Sequence, residues 1–80
     1  MEINKIVLLV EASDIQETFI YRSPSAAGKW QVDFLRKSTG QRIPLTARRQ
    51  NTRCFASVDS AVKALEAIGI HTSQLDWKNP

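Results

Sequence analysis

Apolar runs and polar punctuation alternate along the chain in a pattern that predicts several short strands followed by one helix. Residues 3–10 are mostly apolar and rich in Ile and Val, which reads as a strand buried on both faces and central in its sheet. Residues 18–21 form a second short strand with Phe19 and Tyr21 on one face. The segment Ser23-Pro24-Ser25-Ala26-Ala27-Gly28 is a loop or hairpin connection. Residues 30–36 alternate clearly, Trp30, Val32 and Phe34 pointing one way and Gln31 and Asp33 the other. Ser38-Thr39-Gly40-Gln41 is a turn in which Gly40 can take a positive φ. Residues 42–46 return as a strand with Ile43 and Leu45 inward. Pro44 lacks an N–H donor, so this strand belongs at an edge or carries a bulge. Residues 48–52 are a polar, basic loop, and 53–56 return briefly to extended form around Phe55.

The helix is the element with the most complete signals. Ser57 is placed to cap its N-terminus, and Asp59 in the first turn suits the helix dipole. Val58, Ala61, Val62, Leu65 and Ile68 recur at helical spacing and make one apolar stripe. Gly69 supplies the left-handed residue after the end, with Ile70 folding back as in a Schellman motif. Residues 71–77 add a last short strand that returns Leu75 and Trp77 to the core. The expected fold is α+β, a single domain over residues 1–80. It is a largely antiparallel sheet of four to five strands with one C-terminal helix, about residues 57–68, packed on one face. One helix covers one side of a sheet, so the other face is solvated or makes an interface.

Eighty residues bury only a small core. The composition, 42% hydrophobic and 24% charged, is that of a globular domain rather than a disordered one. Cys54 is the single cysteine, so no disulfide forms within the chain. With His71 as the only other soft ligand, a zinc centre is not expected. The apolar stretch near the start is too short for a membrane span or a signal-peptide core, which favours a reduced, cytoplasmic setting without membrane contact. So thin a core invites a second subunit, a homodimer paired through the exposed sheet face or, if residues 3–10 lie outermost instead, through their edge.

Charge changes the picture most. Between Arg22 and Arg53 lie Arg22, Lys29, Arg36, Lys37, Arg42, Arg48, Arg49 and Arg53 against the single acid Asp33. The flanks hold Lys5, Lys63 and Lys78 against Glu2, Glu11, Asp14, Glu17, Asp59, Glu66 and Asp76. This asymmetry favours a polyanion on the central segment, nucleic acid first among them. Arginine dominates, and its guanidinium fork suits phosphates and base edges better than an ammonium does. The expected contact residues are Arg36, Lys37, Arg42, Arg48, Arg49 and Arg53, with Arg48 or Arg49 reaching a base edge. DNA ranks ahead of RNA, and strandedness and sequence preference stay open. Phe19, Tyr21, Trp30, Phe34 and Phe55 lie on strands beside these arginines, as in a stacking platform. For Trp30, Phe34 and Phe55 core packing is the stronger reading, and Tyr21 is the aromatic least committed to the core.

No catalytic constellation or Gly-rich phosphate loop is visible, and no cofactor is expected. A small ribonuclease toxin acting through His71 ranks below the other readings. The rival to nucleic acid is an acidic protein partner docked on the basic face and the free sheet face. The stretch Trp30-Gln-Val-Asp-Phe…Gly40…Leu45-Thr-Ala-Arg48…Arg53-Cys-Phe-Ala-Ser-Val-Asp-Ser-Ala-Val…Leu65…Gly69-Ile resembles small partition-associated accessory proteins of plasmids and integrating elements. The resemblance covers about half the chain and consists of fold-forming positions. It implies a role near DNA maintenance or transfer and carries over no active-site residues. Together these features lead to the expectation of a non-enzymatic nucleic-acid-binding accessory protein of a mobile genetic element.

Overall fold

A computed structural model of the protein describes residues 1–47, 52–71 and 73–76. The order is α1 (Ile3–Glu11), β1 (Ile15–Arg22), β2 (Trp30–Arg36), β3 (Arg42–Pro44), α2 (Val58–Ala67) and β4 (Gln74–Asp76). β1, β2 and β3 form an antiparallel meander. β4 lies parallel to β1 on its other side, so the sheet runs β3-β2-β1-β4. The α+β class is as the residue pattern predicts, and β3, with Pro44, is an edge strand.

The expectation of one helix is overturned. Residues 3–10, expected as a central strand, belong to α1, so the described residues form two helices. A continuous apolar run does not separate a buried strand from a helix, and here the 3.6-residue period decides. Ile6 is fully buried, whereas Asn4, Lys5 and Glu11 are exposed and Leu8 is 62% exposed. A strand buried on both faces would have hidden Leu8. The helix also lacks the usual marks at its ends. Glu2 precedes it without a side-chain cap, and Ser13, at φ 55°, holds the left-handed position where glycine is the usual signal. The Ser13 N–H bonds to the Val10 carbonyl and the Asp14 N–H to the Leu9 carbonyl, which closes α1 in a Schellman arrangement. With residues 3–10 helical, the expected route to a dimer through their strand edge is lost.

α2 ends by the same device, with Gly69 at φ 91° and Ile70 N–H bonded to the Leu65 carbonyl. At its start Ser57 Oγ accepts from the Ser60 N–H at 3.1 Å. These are the capping roles expected of both residues.

The strands alternate with period two, and one face supplies the core. Ile20, Val32 and Phe34 lie on that face, where they join Ile6 of α1, Ala61 and Leu65 of α2, and Leu45 and Phe55. Each fully buried large side chain contributes about 1.5–3 kcal/mol by leaving water. Trp30 packs partly buried against this cluster. Leu75, expected in the core, is 51% exposed, and Trp77 lies outside the described residues. The N-terminal residues cover the β3 edge: Thr46 N–H bonds to the Met1 carbonyl, and Glu2 bridges Thr46 in parallel. No helix among the described residues is long and apolar enough to cross a membrane.

Candidate nucleic-acid interface

Both helices contribute to the core on one face of the sheet, which leaves the opposite face uncovered by helix among the described residues. Strand register assembles it in rows. Glu17 pairs with Leu35 and Leu35 with Arg42; Phe19 pairs with Asp33 and Asp33 with Pro44; Tyr21 pairs with Gln31. Phe19, Tyr21 and Leu35 are half-buried, and Arg42 is exposed. The Arg42 guanidinium lies 4.2 Å over the Phe19 ring and 5.7 Å from that of Tyr21. Its Nε donates to Asp33 Oδ2 at 2.7 Å. The arginine is therefore held over an aromatic by a carboxylate in the neighbouring strand, a cation–π contact tethered by an ion pair.

A polar network fixes Tyr21 on this face. Its hydroxyl lies 2.9 Å from both Gln31 Oε1 and Asp33 Oδ1, and one phenol proton serves the two acceptors. Burial, then the hydrogen bond to Asp33 and the charge of that carboxylate, push the Tyr21 phenol up to about 12. Gln31 Nε2 in turn donates to Ser23 Oγ at 2.7 Å. Ser23 Oγ also accepts from the Ala26 N–H, which ties the network to the loop joining β1 and β2. The two aromatics thus sit on a braced surface, with their ring positions set by the sheet and by these bonds.

The described basic residues do not form one patch. Arg36 shares the core-side parity of Val32 and Phe34, so it lies on the opposite face from Arg42. It is also engaged: its Nε donates to Asp14 Oδ2 at 2.9 Å and a second nitrogen lies 2.8 Å from the same oxygen. Asp14 accepts further bonds from the N–H and hydroxyl of Ser38, which tie the turn after β2 to the end of α1. The Arg36 guanidinium and the Ser38 N–H hold the Asp14 carboxyl below its usual value. Lys37 is exposed at this end of the sheet. Arg53 is near the other end of β2, where Phe55 pairs with Trp30. Six residue steps span that strand, roughly 20 Å at the usual strand rise. Arg22 and Lys29 lie at the Trp30 end, and Arg22 stacks over the Trp30 ring at 5.5 Å. Arg48 and Arg49 lie outside the described residues. Among the expected contact residues that are described, Arg42 is the one stacked on the aromatic face.

Two clefts flank this arrangement. One, of about 310 Å³, lies at the start of α1 and is lined by Glu2, Ile3, Asn4, Thr46, Ala47 and Arg53. The other, of about 350 Å³, lies between the ends of both helices and the start of β1, with Glu17 and His71 in its lining. No group of three or more His, Cys, Asp or Glu among the described residues could hold a metal ion. Comparison with protein-family models, curated proteins and solved structures returns no match. The chemistry of the surface is therefore read from its own geometry. The cleft at the start of α1 is not visible once residues 3–10 are taken as a strand. Their helical spacing, Ile3, Ile6 and Val10, is the signal that would have exposed it.

Proposed function

We propose that the protein is a non-enzymatic nucleic-acid-binding accessory domain that takes a single strand across the open face of its sheet. The observation that carries this reading is the braced pair Phe19 and Tyr21, with Arg42 stacked above Phe19 on a face without helices. Bases stack on such rings whatever their identity, and an arginine beside a ring can cover the other side of a base. Arg22, Lys29 and Arg53 at one end and Lys37 at the other supply charge for the backbone on either side. Arg36 serves the fold through Asp14. A role on a plasmid or integrating element belongs to this proposal and is carried by the Trp30-to-Ile70 resemblance.

Fluorescence anisotropy titrations against labelled single-stranded DNA, single-stranded RNA and duplex DNA at two salt concentrations test it. Single strands are expected to bind more tightly than duplex. If four cations each neutralise a phosphate, log affinity falls against log salt with a slope of roughly −3. Tighter duplex binding, or none to any form at low salt, would refute the proposal.

A second reading draws on Glu17 and Asp33, which offset Arg42 on the open face. Such a mixed, partly apolar surface also suits a protein partner, and salt-sensitive binding to an acidic protein without nucleic-acid affinity would select it.

A further inference from the structure

We infer that the cleft between the ends of the two helices and the start of β1 receives an extended segment of a protein partner, alternating apolar and basic residues, which adds as a strand beside Ile15–Thr18. The inference is independent of nucleic-acid binding, because none of the residues that carry it belongs to the aromatic pair or to the cations around it.

The sheet leaves a gap at this place. β2 pairs with β1 from Ile15 to Arg22, whereas β4 pairs with it only from Phe19 to Tyr21. Ile15–Thr18 therefore has no strand partner on its second edge among the described residues. In an antiparallel ladder every second residue turns its N–H and C=O away from the paired strand, so part of this backbone faces outward. The chain that leads into β4 does not close the gap. Gly69, Ile70, His71 and Ser73 line the same cleft of about 350 Å³ as Ile15–Thr18, so the cleft lies where the ladder would otherwise continue. A Cβ at Gly69 would lie 3.6 Å from Val10 Cγ1, so the two helix ends meet at this cleft. A strand edge beside a cleft suits peptide addition, in which main-chain bonds supply affinity and contacts to alternate side chains supply selectivity.

The two sides of the cleft differ in what they accept. Successive residues of a guest strand point to opposite faces of the sheet. Towards the helices the lining is Val10, Ile15 and Ile70, all packed partly buried against the core, so a guest residue turned this way is apolar. Towards the open face it is Glu17, which shares the parity of Phe19 and Tyr21, is half-buried, and has no ion-pair partner among the described residues. No described lysine or arginine lines the cleft, and neither helix has a basic residue in its last turn. Helix C-termini carry partial negative charge, which adds to that of Glu17. A guest residue turned to this side is therefore lysine or arginine.

The test is an amide-resolved NMR titration of the full chain with a capped peptide of alternating valine and lysine. One control peptide is N-methylated along its backbone, which keeps the side chains and removes the donors. The other has glutamate in place of lysine. The valine–lysine peptide is expected to shift the Gln16, Glu17, Thr18 and His71 amides along one saturable curve. Backbone methylation weakens binding about tenfold. Glu17→Gln weakens it about two- to fivefold, and Glu17→Lys transfers the preference to the glutamate peptide. Amides that stay still, a methylated peptide that binds as well as its parent, or an affinity indifferent to Glu17→Gln would overturn the inference. The same amides moving when the protein alone is concentrated would make the occupant a second copy of the chain and would overturn it too.

Discussion

The two faces of the sheet are made by alternate residues of the same strands, yet they do different work. On the covered face Thr18, Ile20, Val32 and Phe34 are sealed beneath two helices. On the open face Phe19, Tyr21, Asp33 and Arg42 are held by an ion pair, a shared phenol proton and ring stacking. The first face is organised by exclusion of water, the second by directed bonds that keep aromatic rings partly in water. In a domain of this size the consequence is separability: substitutions one residue apart in β2 should affect different properties.

The largest effect belongs to the covered face. Phe34→Ala should cost about 3–5 kcal/mol of stability, a large part of what so small a domain has. Leu35→Ala, its neighbour on the open face, should cost less than half as much. Urea unfolding of the two variants decides this, and equal losses would erase the distinction between the faces.

Next comes Phe19→Ala, which sharpens the comparison from the other side. Loss of one stacked base should lower single-strand affinity roughly tenfold or more, while the thermal midpoint moves only slightly. Anisotropy with single-stranded and duplex DNA reads the difference. A matching loss on both forms would argue against stacking at this ring.

A smaller effect is expected at Tyr21, the only tyrosine of the chain, so its phenolate absorbance can be followed without interference from another phenol. Its folded pKa lies above the ordinary 10.0, at about 12. The neutral phenol therefore contributes stability that is full below pH 10 and is lost as pH rises through about 12. Asp33→Asn should bring the midpoint down towards 10.0. A midpoint that does not move would mean that Asp33 has little part in it.

The smallest effect concerns Asp14, near the surface and on the far side from Tyr21. Its folded carboxyl lies below the ordinary 3.8, so its pairing with Arg36 and Ser38 is fully stabilising above that value and is lost as pH falls through the lower folded one. Thermal midpoints measured down an acid series should show this loss in the parent and not in Asp14→Asn. Added salt should shrink the difference, since the pair is partly solvated.

How much of this could be seen from the residues alone differs between elements for physical reasons. α2 announced itself because Ser57, the apolar stripe and Gly69 agree with one another. α1 did not, because Ser13 does the work of a glycine and the run from Ile3 to Val10 carries both strand-like composition and helical spacing. Alternation in residues 30–36 correctly separated Val32 and Phe34 from Gln31 and Asp33. The pairing of Phe19 and Tyr21 on one face was equally readable. The arginine cluster was legible only as a composition. Whether Arg36 and Arg42 share a face depends on the length of the turn between them, and whether either is free depends on Asp14 and Asp33, distant in sequence from at least one partner. The cleft at α1 needed both the helix and the Thr46 bridge, neither of which the residue pattern disclosed.

The parallel pairing of β4 with β1 has a consequence for how the molecule comes into being. β1 finds β2 through a short loop, but its other neighbour is made after α2, more than half the chain later. During synthesis the β1–β2–β3 meander can close early, while the far side of β1 waits with unpaired backbone groups until the segment after α2 leaves the ribosome. That interval is when a stray strand from another nascent chain can take the place of Gln74–Asp76, so β4 acts as the molecule's own guard against mispairing.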